Sequence, residues 1–173
     1  MKISMKQTGV TLLELMIVIA IVGIFAAIGI PSMTEMVRNN RVSSARISFI
    51  NDLNVAHSEA VKRNTRVLIC SGQAACVNNA DWARTGWIIC VDANKDGACD
   101  AATAAEPNPF LVRAPLQNDV NLIGPAAAVI YNSIGSQGIS PAAIVPFTLN
   151  GSWAGAPAAK PISISPTGFT TTQ

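Results

Sequence analysis

From Val10 to Ile30 the chain reads VTLLELMIVIAIVGIFAAIGI, twenty-one residues in which Glu14 is the only charge. A helix rises about 1.5 Å per residue, so this run spans roughly 30 Å, the thickness of a bilayer's hydrocarbon core. Lys2 and Lys6 precede it, and Ser32, Met33 and Thr34 follow. The excess of positive charge before the run keeps the N-terminus cytoplasmic and exports everything after about residue 31. A conventional secretory signal peptide is the rival reading. It would require a shorter apolar core and a small-x-small cleavage site, which Ala26-Ala27-Ile28 does not supply. A carboxylate four residues into the run is costly for any signal peptide.

The rest of the chain bounds the fold. Of 173 residues, 50% are apolar and 13% charged, enough for one hydrophobic core and therefore one globular domain. The formal charge of +2 is too small to argue for a nucleic-acid or acidic partner. With Lys2 and Lys6 removed, the twelve basic residues become ten against ten acidic ones.

Around the run, Lys6-Gln7-Thr8-Gly9-Val10-Thr11-Leu12-Leu13-Glu14-Leu15-Met16 resembles the processing site of type IV pilins and of the pseudopilins of type II secretion. The resemblance implies that a prepilin peptidase removes residues 1–9, cutting between Gly9 and Val10, and methylates the new amine. The mature chain would begin at Val10, where the family usually has phenylalanine. Glu14 would then be the fifth mature residue, pairing with the amine of a neighbouring subunit and setting register in the filament. The physical chemistry agrees. Gly9 has no Cβ and admits close approach to its backbone. A carboxylate deep in an apolar helix costs about 2.5–3.5 kcal/mol and is functional by default. Pro31 removes a helix hydrogen bond and crowds the preceding turn, so a kink or local unwinding is expected there.

From Ser32 to about Thr65 the pattern is that of an amphipathic helix. Val42, Ala45, Phe49, Leu53, Ala56 and Ala60 step by three or four residues along one face, which should pack on a sheet. Arg38, Arg41, Arg46, Lys62, Arg63 and Arg66 lie mostly off that stripe, solvated or facing a neighbour. Strands are predicted at 67–70, 86–91 and 110–113, with weaker ones at 120–123, 127–131, 144–149 and 161–165, punctuated by Gly, Pro, Asn and Asp as in an antiparallel sheet. Residues 101–109 read as a surface loop.

Asn39-Asn40-Arg41-Val42, residues 58–64 (SEAVKRN), Val67-Leu68-Ile69-Cys70, Trp82, and Gly86-Trp87-Ile88-Ile89 with Asp92 and Gly97 are similar to the GspH/FimT group of minor pilins and pseudopilins. The similarity covers roughly residues 6–100. It implies an α+β, type IV pilin-like fold: a leader at 1–9, a transmembrane helix at 10–30, an amphipathic stalk helix at 31–65, and a periplasmic β-rich head at 66–173. The implied role is that of a structural minor pilin of FimT/FimU type, priming or capping filament assembly. A pseudopilin of type II secretion is the alternative, and a DNA-binding minor pilin for natural transformation a further one. The partners would be other pilins or pseudopilins, the prepilin peptidase and the inner membrane, with DNA open but not favoured. DNA-binding relatives carry arginines in the C-terminal tail, whereas this chain has none after Arg113. Arg63 and Arg66 are the remaining nucleic-acid candidates.

Cys70, Cys76, Cys90 and Cys99 fall within thirty residues of the exported head. An even count in an oxidising compartment argues for disulfides. Of three pairings, Cys70–Cys76 and Cys90–Cys99 each close a short loop and are favoured. Structural zinc is disfavoured because no spacing matches C-x₂₋₄-C. Asp92, Asn94 and Asp96 match the first half of a calcium loop, but Thr103 stands where a bidentate Glu is needed. A tight turn with Gly97 at positive φ is the simpler reading. His57, the single histidine, supports no triad or metal cluster. No catalytic residue, cofactor or metal is expected.

Overall fold

The computed structural model describes residues 9–103, 107–138 and 144–172; most of the leader and part of the 101–109 loop lie outside the described residues. The chain divides at Val37 into two units. The first is the N-terminal part of α1 (Leu12–Arg63). Thr11 caps it: the Glu14 N–H donates to Thr11 Oγ1 at 3.2 Å and the Leu15 N–H to the Thr11 carbonyl at 3.2 Å. Helical backbone continues on both sides of Pro31, and the Thr34 hydroxyl donates to the Pro31 carbonyl at 2.7 Å.

The second unit, from Arg38 onward, has its own core. Here α1 buries Ala45, Phe49, Leu53, Ala56 and Ala60, the expected stripe, with Val42 half-buried. The helix stops at Asn64, whose φ of 50° is left-handed. The Thr65 N–H closes back on the Ala60 carbonyl and the Asn64 N–H on Val61, both at 3.2 Å, the Schellman arrangement that satisfies the last carbonyls.

Among the described residues eight strands follow: β1 (Val67–Ser71), β2 (Trp87–Val91), β3 (Leu111–Arg113), β4 (Val120–Ile123), β5 (Val129–Tyr131), β6 (Val145–Gly151), β7 (Lys160–Ile164) and β8 (Thr170–Thr172), with a short helix α2 (Trp82–Thr85) before β2. They form not one sheet but two antiparallel ones, ordered β3-β2-β1-β5 and β4-β6-β7-β8. Gln137 links them. It bridges Tyr131 of β5, its backbone N–H reaches the Pro166 carbonyl, and its Nε2 donates to the Ile164 carbonyl at 2.8 Å. Gly86 ends α2 at φ 71°, and a side chain there would run into the Arg113 carbonyl, so the turn into β2 requires glycine.

Both sheets and α1 share one core. Phe49 makes edge contacts with Trp87 of β2 at 5.2 Å, Phe147 of β6 at 4.8 Å and Trp82 of α2 at 6.0 Å. Asp52 is also buried on this helix face, though the hydrophobic stripe does not announce it. Its carboxylate accepts from Arg113 Nε and Nη2, both at 2.8 Å, and from Trp87 Nε1 at 2.9 Å. The pairing tethers β3 and β2 to the helix.

Arg113 is half-exposed and can rehydrate when its partner is lost, whereas the indole N–H of Trp87 cannot. Replacing Asp52 with Ala should therefore lower stability by about 1–3 kcal/mol, the range for an orphaned buried donor. Asn, which keeps an acceptor, should lower it less. Urea unfolding of the detergent-solubilised protein, followed by tryptophan fluorescence, measures both. Equal losses would show that the acceptor is not what counts.

Candidate assembly site

The sequence candidates fall into three places. Gly9, Val10, Glu14 and Pro31 belong to the first unit, the cysteines and the acidic loop to one face of the first sheet, and Arg63 and Arg66 to the end of α1 and the turn that follows it. Each place is shaped by different physical chemistry.

In the first unit the side chains have nothing to bury against. Leu12, Leu13, Ile17, Ile21, Ile24, Phe25 and Ile28 are all exposed. An 18-residue window of α1 has a mean hydropathy of 2.7, and none of it is buried in the protein. A soluble protein does not leave such a surface in water. Glu14 is the third residue of the helix, at the positive end of the macrodipole, where a carboxylate is favoured. Thr11-x-x-Glu14 is the sequence signature of an N-terminal cap. That signal was readable in the sequence, and it gives Glu14 a place at the exposed helix start.

The second place is the outer face of the first sheet. Val67, Ile69, Trp87 and Ile89 point to the shared core, whereas Leu68, Cys70, Ile88 and Cys90 are buried but lie outside it. The two loops that follow β1 and β2 are tied to that second face. Cys70 is bonded to Cys76 and Cys90 to Cys99, with Cα separations of 5.4 and 5.5 Å. This explains why a cysteine stands at position 90, inside an otherwise aliphatic strand. The sulfurs of Cys70, Cys76 and Cys99 lie within 4.8 Å of one another. All three are in disulfides, which removes the thiolates a metal would need.

The loop after β2 is organised by Asp92, which is fully buried. Its Oδ2 accepts from Arg66 Nη2 at 3.0 Å and from the Gly97 N–H at 3.2 Å. Asn94 Oδ1 accepts from the Asp96 N–H at 3.0 Å, and Asn94 Nδ2 donates to Asp96 Oδ2 at 2.9 Å. Gly97 has φ 86° and Lys95 φ 65°. The Arg66 guanidinium thus stands beside the Asp92 carboxylate, and the Asn94 and Asp96 side chains bond each other and the backbone of the turn. The Asn108 side chain pins the loop's return, accepting from the Val91 N–H at 2.9 Å and donating to the carbonyls of Val91 at 3.0 Å and Asp100 at 2.8 Å.

The third place, the basic end of α1, is equally engaged. Arg63 Nε pairs with Glu59 at 2.6 Å and lies 4.9 Å over the Phe110 ring, and Lys62 pairs with the same Glu59 at 3.2 Å. Hydrogen bonds from Arg63 and then Lys62 hold the Glu59 carboxyl below its usual range. Of the candidate cations, Arg66 is committed to Asp92 and Arg63 to Glu59. His57 packs beside Tyr131 and Phe169, and burial pushes the Tyr131 phenol well above its usual range.

The arrangement is thus an exposed apolar helix start carrying one carboxylate, and a self-contained, disulfide-stapled head. Residues 47–168 match the family described as type II transport protein GspH, and residues 4–30 match the prokaryotic N-terminal methylation motif. The fold is similar to that of the type IV minor pilin FimU of Pseudomonas aeruginosa. In the P21 crystal form the TM-score is 0.55 at 16% identity, covering 78% of this chain and 89% of that one. In the P65 form it is 0.54 at 16% identity, covering 76% and 91%. The family match spans most of the chain and is preceded by an N-terminal methylation motif, so this protein belongs to the GspH/FimT family of type IV pilin-like minor pilins and pseudopilins.

Proposed function

We propose that this chain is a structural minor pilin of a type IV pilus, of FimT/FimU type, which primes or caps filament assembly in the periplasm. The observation that carries the reading is the first unit: a helix with a mean hydropathy of 2.7 over eighteen residues, none of it buried in its own protein. Such a surface belongs first in the inner membrane and then among the helices of other subunits. Removal of residues 1–9 by a prepilin peptidase would leave Val10 as a charged amine one helical turn from Glu14. Glu14 would pair with the amine of the next subunit, and Pro31 would let the helix bend in the filament core. The second reading is a minor pseudopilin of a type II secretion system. It is favoured by the description of the matched family and uses the same anchor and head.

The two candidate cations do not favour DNA as a partner. Arg63 and Arg66 are paired with acids, Asp92, Asp96 and Asp100 share one loop, and Lys160 is the last cation of the chain.

Three measurements test this. Mass spectrometry of protein from membranes should find Val10 as the first residue; a chain starting at Met1, or cut after Ala27, would refute the processing. Glu14→Ala should leave the protein in the membrane with its head folded, yet cut its recovery from sheared filaments at least tenfold. Unchanged recovery would make Glu14 incidental. In gel shifts across a salt series the purified protein should bind duplex DNA with a Kd weaker than about 10⁻⁶ M at physiological salt. Tight, steeply salt-dependent binding lost on replacing Arg63 and Arg66 would instead make it a DNA-uptake pilin.

A further inference from the structure

Four arginines of the head are paired with acids, two others, Arg38 and Arg84, are exposed to solvent, and one that is partly withdrawn from solvent has no acid beside it. Arg41 bonds Asp119 at 2.9 Å, Arg63 bonds Glu59, Arg66 bonds Asp92, and Arg113 bonds Asp52. Arg46 is as withdrawn from solvent as Arg63 and Arg66, yet its Nε and Nη2 atoms are buried with no hydrogen-bond partner. These two nitrogens form one edge of the guanidinium, the edge that takes both oxygens of a carboxylate. A buried charge without a partner is strongly disfavoured unless something arrives to meet it.

Arg46 lines a cavity of about 190 Å³ between α1 and the β6–β7 hairpin. Lys160, Asn39 and Asn150 line it too, together with apolar Leu149 and Ile47, the latter exposed. Two cations therefore converge on a pocket with no acidic residue in its wall. Among the described residues, Asp52, Glu59, Asp92 and Asp119 are each bound to another arginine, and Asp81 caps α2. No acid of this chain lines the pocket itself, so a carboxylate that meets Arg46 there would come from another molecule.

We propose that this pocket receives an acidic side chain, Asp or Glu, presented by a neighbouring subunit of the filament. The inference rests on the pilin reading above for the source of the carboxylate, but not for the pocket's chemistry. Three features favour a peptide carboxylate over a nucleic-acid phosphate. The cavity is of side-chain size, and a duplex would need an open row of cations. Its wall includes aliphatic surface, which suits the methylenes of Glu. Asn39 Oδ1 is buried without a donor; a peptide can offer it a backbone N–H, whereas a DNA backbone carries acceptors only.

The test uses the full chain in detergent micelles, ¹⁵N-labelled, with N-acetylglutamate N-methylamide as the probe. The Arg46 Nε–Hε cross-peak should shift saturably with the probe, and at least tenfold more weakly with the glutamine analogue and with inorganic phosphate. Lys160→Ser, a change at an exposed residue, should weaken the response severalfold, and Arg46→Gln should abolish the saturable response of its neighbours. An unsaturable shift overturns the proposal, as does a response to phosphate equal to that for the glutamate probe. In cells, Arg46→Gln should lower recovery in sheared filaments, and wild-type recovery would also overturn it. Absence of the wild-type chain itself from filaments would be a failure of the pilin reading, told apart by a titration that still saturates.

Discussion

Phe49 is where the head is held together. Its ring is fully buried and meets Trp87 from one sheet, Phe147 from the other, and Trp82 from the short helix between β1 and β2. Trp82 in turn stands edge-on to Phe147 at 5.1 Å, with its Nε1 donating to the Pro125 carbonyl at 2.8 Å. Four aromatic rings contribute large apolar areas and preferred edge-to-face geometries at one point. The two four-stranded sheets, which share no ladder, meet at this helix residue within one core to which both contribute.

Around that cluster buried acids are met by arginines. Asp52 is drawn into the same helix face because Trp87 brings an indole N–H that needs an acceptor, and Arg113 then neutralises the buried charge. Asp92 plays the equivalent part on the opposite face of the first sheet, where Arg66 supplies the charge and the Gly97 N–H a further donor. Both acids draw together segments distant in sequence, 61 residues apart for Asp52 and Arg113. The cysteine pairs do the same locally, covering strand residues that would otherwise face water. Against this background the unpartnered guanidinium of Arg46 is conspicuous, and so is the bare apolar helix of the first unit. Neither group is satisfied within one copy of the chain.

The resemblance to pilins was legible because it rests on local features: a glycine, a carboxylate five residues on, and an apolar run of membrane length. The α1 stripe was legible for the same reason, since a 3.6-residue period survives in any tertiary setting. The strands were found within a residue or two, apart from β8, Thr170–Thr172, whose short polar run has no alternation to detect. The helix α2 was missed because four residues carry no period. Its only signal was Asp81, whose side chain caps the Arg84 N–H. The cysteine pairing expected from loop length is the one the structure contains.

What the sequence by itself determined, then, is everything set by neighbours along the chain: the anchor helix, its capped start at Thr11 and Glu14, the buried stripe, the strand segments and the short disulfide loops. The tertiary structure alone decided which sheet each strand joins, and which distant acid meets which arginine. Glu59 and Arg63 stand four residues apart on one helix, a pair that local spacing encodes. The other strand and arginine partners are set by closures over tens of residues, such as Arg41 with Asp119 across 78 positions. For that reason Arg66 and Arg46 read alike as basic residues off the buried stripe, and only packing separates the one that is already matched from the one that still lacks its acid.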